Sequence, residues 1–291
     1  MSVKMTSPTA RPVPRSVAPV LAELELLAPE VVDREVLCRA MEAAGDPRAN
    51  TPGGVDRLID TLRRAGWLLP LRSRGLWEFA PASRSGAYGS GDPLLPLRAY
   101  FARRPGAPVA VAMESAALRL GLAQHPPSRE VVAVGDGVRA EGALADFRTV
   151  ALDLGRRAVQ EVDGLPTHTV EALLVSMGVK PAGYRDWANV ELWLREAVTE
   201  VTARDRAPVK AQAENVARGV PGVVGLLSAR PLAAWARVAY LFRLAEQQPA
   251  AQQILAAAPG EPTGPVYLGP RDRRATYDAL THVYDSLVAR T

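Results

Sequence analysis

Between Arg48 and Arg74 the chain places six arginines, Arg48, Arg57, Arg63, Arg64, Arg72 and Arg74, against two acids, Asp56 and Asp60. A guanidinium stays charged at any relevant pH, and its planar fork of donors fits a phosphate or the major-groove edge of guanine. The chemistry implied is recognition of a polyanion. The charge distribution supports that over a merely solvated surface. Residues 1–104 carry 15 Lys or Arg against 11 Asp or Glu, and residues 105–291 carry 20 against 20, so the net +4 resides in the first third. Such a local excess is the footprint expected of phosphate binding.

Bond-making chemistry has far less to work with. His125, His168 and His282 lie far apart, none with a second histidine within a helical turn, which argues against a metal site. Gly135-Asp136-Gly137 lacks the third glycine of a dinucleotide fingerprint and the lysine of a phosphate loop, and reads as a turn. Ser115, in MESAAL, has no flanking glycines of a nucleophile elbow and reads as a helix cap. No carboxylate pair stands at a spacing that suggests acid–base work. Cys38 is the single cysteine, which allows no internal disulfide and no cysteine zinc cluster; it reads as a core residue of a reduced, cytoplasmic protein. The expectation is a binding protein, not an enzyme, with neither cofactor nor metal.

The arginines need a frame, and the stretch NTPGGVDRLIDTLRRAGWLLPLRSRGLWEFA (50–80) supplies one. Thr51 suits a helix cap, Pro52 a first helical position and Gly66 a helix end. Val55, Leu58, Ile59, Leu62 and Ala65 repeat at helical spacing as a buried stripe. The opposite face carries Asn50, Gly53, Gly54, Arg57, Thr61 and Arg64. Trp67–Leu71 and Leu76–Ala80 read as strands around the turn Arg72-Ser73-Arg74-Gly75. Two helices should precede this unit. Val17, Val20, Leu21, Leu24 and Leu27 share one face; Asp33 then caps a second helix bearing Val36, Leu37, Ala40 and Met41. Three helices and a basic hairpin make a winged helix-turn-helix, whose third helix enters the major groove while the hairpin leans on the backbone. The candidate DNA contacts are Asn50, Arg57, Thr61 and Arg64 on the helix, with Arg72 and Arg74 on the wing.

At 291 residues, 48% apolar and 23% charged, the chain has room for about two domains. Residues 1–16 read as a disordered basic tail, with an arm touching DNA as the sharper alternative. The winged helix should occupy 17–81, a small, polar, glycine-rich linker 82–92, and a second domain 93–291. No apolar run is long enough to span a membrane, and the first residues lack the apolar core of a signal peptide. In the second domain an amphipathic helix is expected over 93–104, strands over 109–113, 131–134, 147–154 and 158–162, and helices over 114–120, 169–177, 187–201, 209–217, 232–247 and 276–289. The class is α+β and helix-rich, with a helical C-terminal half. Candidate partner contacts there are Trp187, Arg195, Arg237 and Arg243, the arginines on the exposed sides of their helices.

The order of GWLLPLRSRGLWEFAP, DPLLPLRAYFAR, VAMESAALRLGL, LPTHTVEALLVSMG and ARPLAAWARVAYLF resembles the AbiEi family of antitoxins over about residues 17 to 250. RGLWEFAP departs from that family's commoner RG-x-Y hairpin in placing Trp77 at the aromatic position. The resemblance implies an antitoxin of a type IV toxin–antitoxin system that neutralises a toxin of nucleotidyltransferase fold. It also implies autorepression, the winged helix binding inverted repeats of double-stranded DNA in the operon's own promoter as a monomer or a DNA-induced dimer. A stand-alone winged-helix transcription regulator with a ligand-sensing C-terminal domain would use the same first 80 residues and remains the alternative, as does, more remotely, an enzyme acting on nucleotides.

Overall fold

The computed structural model describes residues 13–83, 89–139, 142–205, 216 and 218–287. The chain is α+β and forms two compact units, the first from residues 13–107 with 142–146, the second from 108–139 with 147–287. The expected tail lies outside the described residues up to residue 12, as do residues 84–88 of the expected linker and nearly all of the helix expected over 209–217.

In the first unit, α1 (Ala18–Leu27), β1 (Val31–Val32), α2 (Arg34–Ala43) and α3 (Gly54–Arg64) lead into the hairpin β2 (Leu68–Pro70) and β3 (Trp77–Phe79). The strands form one antiparallel sheet in the order β1-β3-β2, with Val32 opposite Trp77 and Leu69 opposite Glu78. This order of helices and strands is that of a winged helix. Asp33 caps α2, its carboxylate accepting the Val36 N–H at 2.8 Å. Gly66 ends α3 in the left-handed region, with Trp67 N–H donating to Leu62 O and Gly66 N–H to Arg63 O, a Schellman closure. The core joins Val20, Leu24, Leu37, Met41, Leu58 and Leu62 to Phe79. Leu27, on the same face one turn beyond Leu24, is 56% exposed at the end of the helix, where Ala28 turns left-handed.

Two expectations at the start of α3 are corrected. Thr51 does not cap the helix; its hydroxyl donates to Arg48 O at 3.0 Å, and the cap position is Gly53 at φ +73°, so Pro52 precedes the helix. Gly54 is buried, not on the exposed face, and a β-carbon there would sit 2.0 Å from Arg48 O.

The division between units also differs from the expected one at 82–92. Helix α4 (Leu95–Arg103) belongs to the first unit, where Arg98 pairs with Glu30 at 2.9 Å and the helix packs against β1 and the 3-10 turn Gly142–Asp146. Leu95, Leu97 and Leu144 are all buried there. A glycine-rich stretch marks flexible chain, but where a domain ends is decided by burial.

The second unit is built on a five-stranded mixed sheet of β4 (Val109–Val111), β5 (Val131–Val134), β6 (Arg148–Ala151), β7 (Val159–Val162) and β8 (Leu165–His168), in the order β6-β5-β4-β8-β7. Helix α5 (Met113–Arg119) follows β4, and α6 (Val170–Val179) follows β8. Residues Val170 to Gly178 are buried without a break, as befits a helix covered on all sides. Its neighbours are α7 (Trp187–Asp205), α8 (Gly219–Leu227) and α9 (Leu232–Leu244), with α10 (Gln248–Ala256) behind α9. Gly178 permits the α6–α9 crossing, since a β-carbon there would meet Val238 Cγ2 at 2.5 Å and Ala234 O at 2.9 Å. The helix expected over 276–289 is absent over its described part. Instead β9 (Val266–Leu268), β10 (Thr276–Asp278) and β11 (Val283–Asp285) form a second sheet in the order β10-β11-β9.

His168 is fully buried, and loss of solvation lowers its pKa to about 4. The imidazole is therefore neutral in the folded protein at pH 7. Because the folded value lies below the unfolded one, the unfolded chain binds the extra proton first. The stability this residue contributes is complete above about pH 6.5 and is lost as pH falls towards 4, by about 3 kcal/mol over that span. Urea unfolding followed between pH 7 and 4 should show this acid-side slope, and His168→Gln should flatten it.

Candidate nucleic-acid interface

The expected DNA contacts divide into residues that face solvent and residues committed to the fold. Arg57, Thr61 and Arg64 follow at i, i+4 and i+7 along α3 and share one face. Arg57 and Arg64 are exposed, Arg57 making one long contact from Nη2 to Pro52 O at 3.3 Å. Asn50 is exposed at the end of the 3-10 turn that precedes α3. Thr61 is half-buried, and its hydroxyl proton is used on Arg57 O at 2.8 Å, which leaves the oxygen able only to accept. Arg63 is exposed too, beside this face.

Arg48 lies in the same basic stretch but serves structure. Its guanidinium binds Asp46 at 2.6–3.1 Å and donates to Ser16 O at 2.6 Å, tying the turn between α2 and α3 to the start of α1. The hydrogen bond from Arg48 holds the Asp46 carboxyl below its ordinary pKa. Asp56 is neutralised as well: Arg34 on α2 grips it with both terminal nitrogens, which lowers the carboxyl's pKa. Facing solvent, α3 and the wing thus present Arg57, Arg63, Arg64, Arg72 and Arg74 against Asp56 and Asp60, with Asp56 paired to Arg34.

The wing carries Arg72 and Arg74, both exposed. Gly75, at φ +71°, closes its turn, with Leu71 N–H donating to Leu76 O at 3.1 Å. Two residues that no sequence signal pointed to set its position. Arg103 on α4 donates from Nη2 to the carbonyls of Arg74 at 3.0 Å and Gly75 at 3.2 Å. Asp146 pairs with Arg72 at 3.1 Å. The pair is open to water and therefore weak.

The partner-contact candidates of the second unit stand differently. Trp187 is buried, its indole N–H donating to Pro181 O at 3.2 Å and its ring 5.7 Å from that of Tyr184. Arg237 is not exposed as its helix position suggested: it turns inward to Tyr267 O at 2.7 Å and Gly178 O at 3.0 Å, and burial draws its pKa below the usual arginine value. Arg243 is engaged with Asp278. Arg195 is exposed and pairs with Glu246 at 2.8 Å. Ser115, expected as a cap, instead accepts the Val131 N–H at 2.7 Å and ties α5 to β5. Among the described residues no group of His, Cys, Asp and Glu is arranged to hold a metal, and no helix is long and apolar enough to cross a membrane.

Residues 109–244, which hold the five-stranded sheet and α5 to α9, match the family model of the AbiEi antitoxin C-terminal domain. Over these residues the chain is similar to that antitoxin domain. The domain supports an antitoxin role within a toxin–antitoxin system. The fold as a whole is similar to the crystal structure of the RV2827C protein from Mycobacterium tuberculosis, at a TM-score of 0.76 and 26% identity, over 97% of this chain and 96% of that one. No curated protein sequence matches the chain.

Proposed function

We propose that this protein is the antitoxin of a type IV system. It neutralises a nucleotidyltransferase-like toxin in the cytoplasm and represses its own operon by binding inverted repeats in the promoter. The observation that carries the DNA-binding part is the face of α3 with Arg57 and Arg64 outward beside a braced, arginine-bearing wing. In a winged helix the third helix reads base edges and the wing holds the backbone, so the two sets of arginines have separable effects. Arg57→Ala and Arg64→Ala should each cost about 1–3 kcal/mol on operator DNA and relax specificity at one position; Arg74→Ala should weaken all sequences alike and reduce the salt slope by about one. Fluorescence anisotropy on promoter and scrambled duplexes across a salt series measures both. Equal losses on the two duplexes for Arg57→Ala and Arg64→Ala would overturn the helix assignment. Neutralisation is tested by inducing the neighbouring reading frame with and without the full-length protein: rescue of growth supports the antitoxin reading, and a toxic neighbour that is not rescued defeats it.

A second reading, a ligand-responsive regulator, has one observation in its favour. A cleft of about 630 Å³ in the second unit is lined by Asp136, Asp153, Lys180 and Arg230 together with Leu152 and Leu226. On that reading operator affinity would shift with a small charged ligand, whereas on the antitoxin reading it responds to the toxin.

A further inference from the structure

The sheet of β9, β10 and β11 lies beyond the matched antitoxin domain, and the function proposed above makes no use of it. Its residues alternate between two faces, as strands require. Val266, Leu268, Asp278, Val283 and Asp285 are buried on one side. That side is fastened to α9: Tyr240 Oη donates to Asp285 Oδ2 at 2.9 Å, Arg243 pairs with Asp278, and Arg237 Nε donates to Tyr267 O at 2.7 Å. The other side carries one tyrosine per strand in direct register, Tyr277 opposite Tyr284 and Tyr284 opposite Tyr267.

The three rings form a column with centroids 4.8 and 5.2 Å apart, Tyr267 and Tyr284 stacked at 25° and Tyr277 tilted by 39° to Tyr284. Tyr277, at one end, is 47% exposed, and its hydroxyl is oriented by His282 Nδ1 at 2.7 Å. At the other end the Arg271 guanidinium lies 5.5 Å from the Tyr267 ring centroid. Arg273 and Arg274, both exposed, continue the loop between β9 and β10. Both carboxylates of the strands, Asp278 and Asp285, are turned inward, and Asp272 accepts the Arg274 backbone N–H at 2.9 Å, so the loop holds three arginines against one carboxylate. The outer face is therefore aromatic, with Arg271 against it and a net cationic loop adjoining.

We propose that this face binds single-stranded nucleic acid, unpaired bases extending the tyrosine column from Tyr277 while phosphates meet Arg271, Arg273 and Arg274. An aromatic platform beside a cationic track is the general solution for single strands, because every base has a π-face and every linkage a charge. A proline-rich peptide could use the rings but would leave three arginines without a purpose. A duplex already stacks its bases internally and offers none to the column.

The test uses the full-length protein and fluorescein-labelled 12-nucleotide single strands, one RNA and one DNA of the same sequence, with a blunt duplex that lacks the operator as control. Anisotropy should show salt-dependent binding of a single strand. Tyr277→Ala should weaken it by about tenfold, and Tyr277→Trp should retain it. Replacing Arg271, Arg273 and Arg274 with Ala should flatten its salt dependence. The difference between the RNA and DNA arms reports which source of single strand is preferred. Tyr277 is at the surface, and a circular-dichroism melt of Tyr277→Ala matching the parent excludes a folding defect. Arg57→Ala combined with Arg64→Ala separates this platform from the winged helix, because it should spare single-strand binding. Unchanged affinity in Tyr277→Ala, loss of single-strand binding in the α3 double variant, or binding of a proline-rich peptide in preference to both oligonucleotides would each overturn the proposal.

Discussion

Glu171→Ala is expected to cost about 3–5 kcal/mol of stability, the largest effect of any single substitution considered. Glu171 lies in the first turn of α6 with no exposed surface. Its carboxylate takes two hydrogen bonds from Arg204 Nη1, at 2.9 and 3.2 Å, and one from the Gly219 N–H at 2.9 Å. It thereby joins α6 to the end of α7 and the start of α8. Truncation leaves the Gly219 N–H without an acceptor and takes from Arg204 the buried one of its two carboxylate partners, Glu200 remaining; an unsatisfied buried donor and lost charge-assisted hydrogen bonds both count against the fold. Glu171→Gln keeps the volume and one acceptor oxygen and should lose less. Urea unfolding monitored by far-UV circular dichroism is the measurement, and a loss below about 1 kcal/mol for Glu171→Ala would contradict this account of the junction.

Gly54→Ala is the second large effect, expected at about 2–3 kcal/mol together with loss of operator binding. The added β-carbon would meet Arg48 O at 2.0 Å, Thr51 Oγ1 at 2.7 Å and Arg48 C at 2.9 Å. Backbone cannot step aside here, because Arg48 is held by Asp46 and by Ser16 O. Relief requires α3 to shift, and α3 is the reading helix of the proposed function. The adjacent glycine provides the comparison. Gly53 has open space around it but sits at φ +73°, so Gly53→Ala should cost only the strain of a left-handed alanine, about 1–2 kcal/mol. Equal effects at the two positions would show that crowding at Arg48 O is not what Gly54 avoids.

The sequence was legible where structure is local. The stripe Val55, Leu58, Ile59 and Leu62, the closure at Gly66 and the Arg72–Gly75 turn are each determined within one helix or one hairpin, and each formed as read. It was illegible where contacts distant in the chain decide. Tyr277, Leu280, Tyr284 and Leu287 recur at spacings that mimic a helix, yet β11 pairs in parallel with β9, and His282 turns the chain at φ +57°. GVPGVVGLL has three glycines and a proline, poor helix formers all, and still becomes α8 because it packs against α6 and α7. In β1 there are only two residues, too few to carry a pattern.

The candidate interface divides in the same way between what local spacing marks and what it does not. Arg57 and Arg64 announce themselves by helical spacing, and the wing arginines by their turn. Arg48 belongs to the same basic cluster, yet Asp46 and the Ser16 carbonyl engage its guanidinium. Nothing near the hairpin marks Arg103 or Asp146 as its supports, because they come from residues far along the chain.

The turn Gly142–Asp146 belongs to the first unit, while the chain on either side of it belongs to the second. A crossover between two related genes anywhere from residue 108 to residue 141 would give Leu144 of one parent a bed shaped by the other. Such hybrids begin life with a mismatched core. The two units therefore cannot be exchanged between relatives as free cassettes, because a single junction anywhere in that stretch leaves the packing around Leu144 to be repaired.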